Sequence, residues 1–421
     1  VSTSSAPQLS SLRQHPDPAG LRARNAVFVA FFGSGFGFAS WASRIPQVRD
    51  ILGVSPAELG IILLAIAIGS MIALPLAGLV VTRLGASRTV AVTAVTLGIG
   101  LAVVALGYSA GVLPIVVGLF LLGFANGTWD VAMNVQGAAV EKRLNVPLMP
   151  RFHAGFSVGT VAGALLGAGM VALDVSVRVH LLVVAVLVAV VVPVAVRNFL
   201  PAKVIDPPAV VDGAGVGTKR HPLAAWKEKR TLLIGLFVLC MAFTEGTGND
   251  WLGVAVIDGY HASPAVGTLT FALFLTAMTL ARWVGPSLLE RYGRVAVLRT
   301  SAVTAFVGLM LVVFGQGLAV AMIGSVFWGL GAALGFPVGM SAAADDEEHA
   351  AGRVSVVSSI GYTAFLAGPP LIGLLGDHIG VLKALTVAAG LLAIAILLAG
   401  ACRPLVTANA AETTKEDAAG G

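Results

Sequence analysis

Five ionisable side chains stand at the edge of or inside runs of sequence that are otherwise apolar: Asp130, His153, Glu245, Asp250 and Arg282. Asp130, Asn134 and Gly137 follow i, i+4, i+7 spacing and share one face of any helix that carries them. A carboxylate with an amide one turn on can bind a polar solute or hold a proton. It can equally pair with a basic group such as Arg83 or Arg151. Glu245 has Asn249 one turn away with Gly246 and Gly248 between, and this spacing predicts a helix broken around Glu245 and Asp250, where freed carbonyls add to the carboxylates. Glu245 is the first candidate to carry a coupling proton and Asp130 the second, while Asp250 reads as a site residue or an outer cap. Arg282 cannot shed its charge and therefore needs a carboxylate, carbonyls or an anionic ligand. His153, with Ser157 at i+4, can relay a proton near neutral pH or simply cap a helix start.

Other chemistries are missing. There is no HExxH, CxxC or paired-histidine spacing, so neither a catalytic residue nor a metal is expected. Cys240 and Cys402 lie in apolar runs, where a thiol is usually a small buried hydrophobe. No phosphate-cradling Gly-rich loop ending in Lys-Ser/Thr occurs, so ATP is not the direct energy source. No organic cofactor is expected; the coupling ion is expected to be the proton, with sodium as the alternative.

The setting gives these residues their meaning. The chain has 421 residues, 57% of them hydrophobic, with 11% charged and a mean hydropathy of +0.92. About 240 apolar residues fill about twelve spans of roughly 20 residues each. That excludes a soluble enzyme, a nucleic-acid-binding protein and a disulfide framework, and charges at bilayer depth cost at least about 2.5 kcal/mol each. Spans are expected at 25–43, 58–81, 89–107, 113–136, 154–173 and 177–196, then at 232–257, 265–289, 295–314, 318–340, 354–375 and 381–401. They group into a first six-helix bundle (25–197), a basic Pro/Gly-rich linker (198–230) and a second bundle (231–402), between polar tails (1–24 and 403–421) expected to be disordered. All but five of the 26 Lys and Arg fall on one side if both termini are cytoplasmic, and positive residues are held on that side. An inner (plasma) membrane protein with both ends inside is expected. Arg44, Asp50 and Glu58 then read as a solvated outer gate, and the acidic residues from Asp345 to Glu348 as a solvated turn or as partners for basic loops in one state.

The halves repeat. Ser55-Pro-Ala-Glu-Leu-Gly60 answers Ser263-Pro-Ala-Val-Gly267, Arg83-Leu-Gly85 answers Arg291-Tyr-Gly293, Phe120–Met133 aligns on Phe327–Met340, and the first span of each half ends on Trp41 or Trp251. Repeated halves mark alternating-access transporters. Two six-helix halves, a basic central loop and the Gly-x4-Arg-x-Gly turn resemble the major facilitator superfamily. The turn runs Gly78-Leu-Val-Val-Thr82-Arg83-Leu-Gly85, and its partner Gly285-Pro-Ser-Leu-Leu-Glu290-Arg291-Tyr-Gly293. Thr82 stands where that family usually has Asp, and Glu290 is one residue out of step. Trp41-Ala-Ser-Arg-Ile-Pro-Gln-Val-Arg-Asp50, Trp129-Asp130-Val-Ala-Met-Asn134-Val-Gln136, Phe152-His153-Ala-Gly-Phe-Ser157-Val-Gly159 and Glu245-Gly-Thr-Gly-Asn-Asp250-Trp251 look like its MosC/YbjJ-like branch.

The resemblance implies an all-α polytopic fold of 12 transmembrane helices in two pseudo-repeats, acting as a monomer in the lipid bilayer on a small-molecule substrate, with no nucleic acid partner. It further implies a cytoplasmic gate at Arg83, Gly85, Glu290, Arg291 and Gly293. Trp41, Trp129, Trp251 and Trp328 fall in the spans that line the cavity of that fold, where they would either stack on a sugar-like solute or form an interfacial belt. The expected activity is secondary transport of a small polar solute such as a sugar, polyol or amino sugar, coupled to protons. The alternative is a proton-antiport exporter of amphipathic compounds.

Overall fold

The computed structural model describes residues 17–201, 224–346 and 349–405. It contains twelve helices long and apolar enough to cross a membrane: α1 (Pro18–Leu52), α2 (Pro56–Leu84), α3 (Ala86–Gly107), α4 (Val112–Leu144), α5 (Met149–Ala172), α6 (Val177–Asn198), α7 (Lys229–Tyr260), α8 (Pro264–Tyr292), α9 (Arg294–Phe314), α10 (Leu318–Ala343), α11 (Gly352–Ile379) and α12 (Val381–Cys402). No β-strand occurs among the described residues. The tails read as disordered lie mostly outside the described residues, as does most of the linker; of it, Ala224–Lys227 forms one short 3-10 turn.

The helix ends follow from local chemistry. Asp17 caps α1 by accepting from the N–H groups of Ala19 and Gly20 at 3.1 and 3.0 Å, with Pro18 at the first helical position. Arg143 of α4 pairs with the same carboxylate at 2.6 Å and holds its pKa down to about 2. The two Ser-Pro openings do the same work in each half. Ser55 accepts from Glu58 N–H and the Glu58 carboxylate returns to Ser55 N–H, while Ser263 accepts from Val266 N–H. At the other end of those helices Gly85 and Gly293 turn with φ of 77° each, a conformation L side chains avoid.

Helix pairing repeats with the sequence. In the first half α1 packs on α5, α2 on α4, and α3 on α4 and α6; six helices on, α7 packs on α11, α8 on α10, and α9 on α10 and α12. Two equivalent contacts join the halves, α2 to α11 and α5 to α8. The Gly155, Gly159, Gly163, Gly167 stripe of α5 lets α1 come close. A Cβ on Gly159 would collide with the Phe32 carbonyl, and one on Gly163 would stand 2.6 Å from that of Phe36.

Two expectations need correcting. The fourth span does not end near Gln136 but continues through Glu141, Lys142 and Arg143 to Leu144, because a charged turn beyond the bilayer ends an apolar run without ending a helix. The seventh is not broken at Gly246 and Gly248; Lys229–Tyr260 is one continuous helix. Those glycines instead admit the rings of Phe365 and Phe274. The breaks fall in α1, at Ser43 and Arg44, in α10, at Ala333 and Leu334, and in α12, at Leu385.

Candidate functional site

Twelve crossings bring residues 17 and 405 to one side, called here the terminal side. The hydrogen bonds and ion pairs that join the two halves lie at mid-depth or on the opposite, outer side. Arg49 of α1 makes a two-pronged pair with Asp258 of α7. Asp377 of α11 accepts from Ser55 Oγ at 3.2 Å and from Ala57 N–H at 3.1 Å, so a carboxylate of one half caps a helix of the other. Thr268 reaches the Ser43 carbonyl at 3.4 Å, and at mid-depth Thr279 reaches that of Ser157 at 3.4 Å. Gly60 lies against the backbone of Pro369 and Pro370.

On the terminal side, Arg143 pairs with Asp17, Arg230 and Arg294 with Asp345, and Arg353 with Glu228 and Asp346, each within one half. Asp345 and Asp346 are thus clamped by arginines rather than forming a solvated turn. The gate residues Arg83, Glu290 and Arg291 are exposed, and among the described residues none forms an ion pair across the halves; Arg291 lies over the Tyr292 ring. Among the described residues, the polar contacts between the halves close the outer side and leave an opening toward the termini.

Within that opening the structure brings together Glu245, Arg282 and His153. Arg282 Nη2 donates to Glu245 Oε1 at 2.8 Å, and its Nε donates to the Ala333 carbonyl at 3.2 Å. The carbonyl is free because Pro337, four residues on, has no N–H to offer it. The pair therefore lies wholly in the second half, joining α7, α8 and the break in α10. His153 faces it from α5, within electrostatic range of Arg282, its ring edge-on to Phe31 at 5.1 Å.

Asp130 is elsewhere on the same opening. It lies 14 residues, about 21 Å at 1.5 Å per residue, from the end of α4, whose last charged turns run past the apolar part of the span. Asn134 Nδ2 donates to its Oδ1 at 3.2 Å and to its carbonyl at 2.8 Å. No cation pairs with Asp130 among the described residues, neither Arg83 nor Arg151; the side chain is exposed, and Tyr362 of α11 is close enough across the halves to feel its charge. Two further polar residues of α4 were not singled out from the sequence, Asn126 on this stripe and Gln136 on another face. Asn126, one turn from Asp130, accepts from Ser34 Oγ at 2.6 Å, and Gln136 is fully buried with both amide atoms unpartnered. The i, i+4, i+8 spacing of Asn126, Asp130 and Asn134 is the signal that marks the first.

Asp250 and Asn249 are not part of this group. They face a crevice at the outer seal with Ser43, Ile45, Pro46, Thr268 and Phe271.

Trp41, Trp129, Trp251 and Trp328 do not form a cavity wall, since each is at most 1% exposed. Trp129 lies over Gly33 and Trp328 meets Phe274 edge-on, so the rings fill gaps that small residues leave between helices. Arg44 is not a solvated gate either. It is 2% exposed and donates to His180 Nδ1 at 2.9 Å and to the Val175 carbonyl at 3.0 Å.

Two helical halves closed at one end around a polar opening at bilayer depth define a membrane transporter of the alternating-access kind. The family model described as Major Facilitator Superfamily matches residues 27–249 and 239–420, and the chain belongs to that superfamily. It is a multi-pass membrane protein that transports small molecules, and it is not an enzyme. An uncharacterised MFS-type transporter of Yersinia pestis is 29% identical over 94% of this chain and 99% of its own length. The membrane protein MosC of Rhizobium meliloti is 27% identical over 88% of both chains. Among solved structures, the nucleoside transporter NupG superposes with a TM-score of 0.70 at 16% identity, covering 91% of this chain and 98% of that one, which is a likeness of fold.

Proposed function

We propose that the chain transports a small polar solute of the sugar, polyol or amino-sugar kind by alternating access, driven by the proton gradient, in the inner membrane with both termini cytoplasmic. One observation carries this reading: the opening between the halves presents Asp130, unpaired by any cation among the described residues, with Asn134 and Tyr362 on one side and the Glu245–Arg282 pair with His153 on the other. Hydrogen-bonding groups of both signs at this depth suit a hydroxyl-rich ligand, whereas a lipophilic one needs apolar walls. The closed outer side supports a state poised to exchange solute with the terminal side.

The test is thermal stabilisation of the detergent-purified protein by sugars, polyols, amino sugars, nucleosides and lipophilic cations, because a ligand selective for the native state raises its stability by mass action. A polar compound whose effect is lost in Asp130→Asn supports the reading. Selective stabilisation by lipophilic cations refutes it in favour of an amphipath exporter.

A further inference from the structure

We propose that Arg44 is a positioning residue for the outer gate: through His180 it ties the outer segment of α1, Ile45–Leu52, to the first half, so that the segment leaves the second half when the outer side opens. The proposal rests on the transport reading and deepens it by naming what moves the gate.

The segment is set apart at both ends. Ahead of it α1 breaks at Ser43 and Arg44, where Pro46 has no N–H to offer the Ala42 carbonyl. Behind it Gly53 turns with φ of 63° toward the Ser55 cap of α2. An eight-residue helix between two such joints can swing on them. Its inner face bears the gate. Pro46 lies beside Gly253 and Arg49 pairs with Asp258, both of α7, while the Ser43 carbonyl at the break accepts from Thr268 of α8. All three partners belong to the second half.

The polar hold on its own half is Arg44. Arg44 Nε donates to His180 Nδ1 of α6 at 2.9 Å and Nη2 to the Val175 carbonyl, just before α6, at 3.0 Å. Among the described residues no side chain from Ile45 to Leu52 hydrogen-bonds another helix of the first half: Arg49 turns to Asp50 and Asp258, and the Gln47 amide is buried without a partner. Because Arg44 Nε donates, Nδ1 accepts, which makes the imidazole neutral with its proton on Nε2, itself buried and unpartnered.

Arg44 and His180 are 2% and 1% exposed, and no carboxylate joins them among the described residues. A guanidinium buried in this way is a costly filler. What it supplies that an aliphatic chain cannot is two directed bonds from the break to α6. When the halves part, the segment is pulled between this buried hold and the Arg49–Asp258 pair, whose aspartate is 38% exposed. Water competes for the exposed pair and not for the buried one, so the pair yields first and the segment travels with the first half.

The experiment follows the segment and the bundle separately. Spin labels replace Lys383 of the second half and either Ile51 of the segment or Ala110 of the α3–α4 turn, all exposed, in lipid nanodiscs; the native Cys240 and Cys402 are buried. Gly60→Leu, whose side chain meets the Pro369 carbonyl, populates the outer-open state without touching the hold. With Arg44 and His180 intact both distances should lengthen together. In Arg44→Met/His180→Leu, which removes the buried charge together with its acceptor, Ala110–Lys383 should lengthen as before while Ile51–Lys383 loses most of its lengthening. His180→Phe, which keeps a ring and lacks the acceptor, should give the same separation, and His180→Asn, whose Oδ1 stands in for Nδ1, should restore joint lengthening. Joint lengthening in the first two variants overturns the proposal, as does loss of lengthening in both distances, which would make the hold a determinant of the balance between states. Aggregation of both variants overturns it too, by making the pair a packing element. If neither distance lengthens with the hold intact, it is the alternating-access reading itself that fails.

Discussion

Removing the charge of Glu245 leaves Arg282 with the Ala333 carbonyl as its one remaining partner. Breaking a fully buried ion pair by removing one member costs about 3–5 kcal/mol. The two side chains here retain 27% and 16% of their exposure, so water reaches part of the pair. Discounted for that access, Glu245→Gln should destabilise the protein by about 1–3 kcal/mol. The assay is equilibrium unfolding in mixed micelles, read on Glu245→Gln, Arg282→Gln and the double variant. If the pair is structural, the double variant should lose less than the sum of the two, with a coupling above about 1 kcal/mol; independent residues add within about 0.5 kcal/mol. Additivity would refute the reasoning and return Glu245 to the role of a carboxylate free for solute or proton.

Arg49→Gln removes both prongs of the outer pair with Asp258; at about 0.5–1.5 kcal/mol for a partly exposed two-pronged pair, the ratio of outer-open to outer-closed molecules should rise about two- to tenfold, measured by the Ala110–Lys383 spin-label pair. Gly159→Leu should abolish monodisperse protein on size exclusion, because its side chain meets the Phe32 carbonyl of α1, whereas Gly169→Leu, with nothing within 4 Å, should be tolerated. Arg353 beside Glu228 holds that carboxyl below its ordinary value of 4.5. A depressed carboxyl stabilises the fold above its ordinary value and loses that contribution as pH falls through the depressed one. Stability should therefore decline below about pH 4.5 in the parent, and Glu228→Gln should flatten that acid limb in pH-dependent unfolding.

How much of this was legible depends on which interactions are local. The Ser-Pro openings, their caps, and the Arg-x-Gly turns at Gly85 and Gly293 are set by neighbours in sequence, and both copies fold alike. The length of α4 is not legible from hydropathy, which marks where the apolar run ends, while Glu141–Arg143 carry the helix past it. Gly246 and Gly248 looked like breakers because the rings that occupy their free space, Phe365 and Phe274, belong to distant helices. The α10 break did have a local signal, Pro337, whose missing N–H frees the Ala333 carbonyl. That Arg282 would take this carbonyl depends on α8 packing against α10, which no spacing within one helix reveals. Trp41, Trp129 and Trp251 were placed in the right spans and given the wrong direction, for the same reason.

The composition of the outer seal bears on why such a molecule can move at all. A transporter needs its two states within a few kcal/mol, since a ligand shifts the balance only by its differential affinity. The polar part of the seal consists of a partly exposed Arg49–Asp258 pair, one carboxylate capping α2 and one long Thr268 contact, each of modest net value in reach of water. The close part is backbone against backbone, Gly60 on Pro369 and Gly373 on Pro56. The strong clusters, Asp345 with two arginines and Arg353 with two carboxylates, are kept inside the second half. Stability is thus concentrated where the halves act as rigid bodies and kept thin where they must part. Filling the α2–α11 contact by Gly60→Leu should therefore impair closure on the outer side while leaving each half folded, visible as a shift to the long spin-label distance in a protein that still runs as a single species. A Gly60→Leu protein that closes normally would place the seal elsewhere.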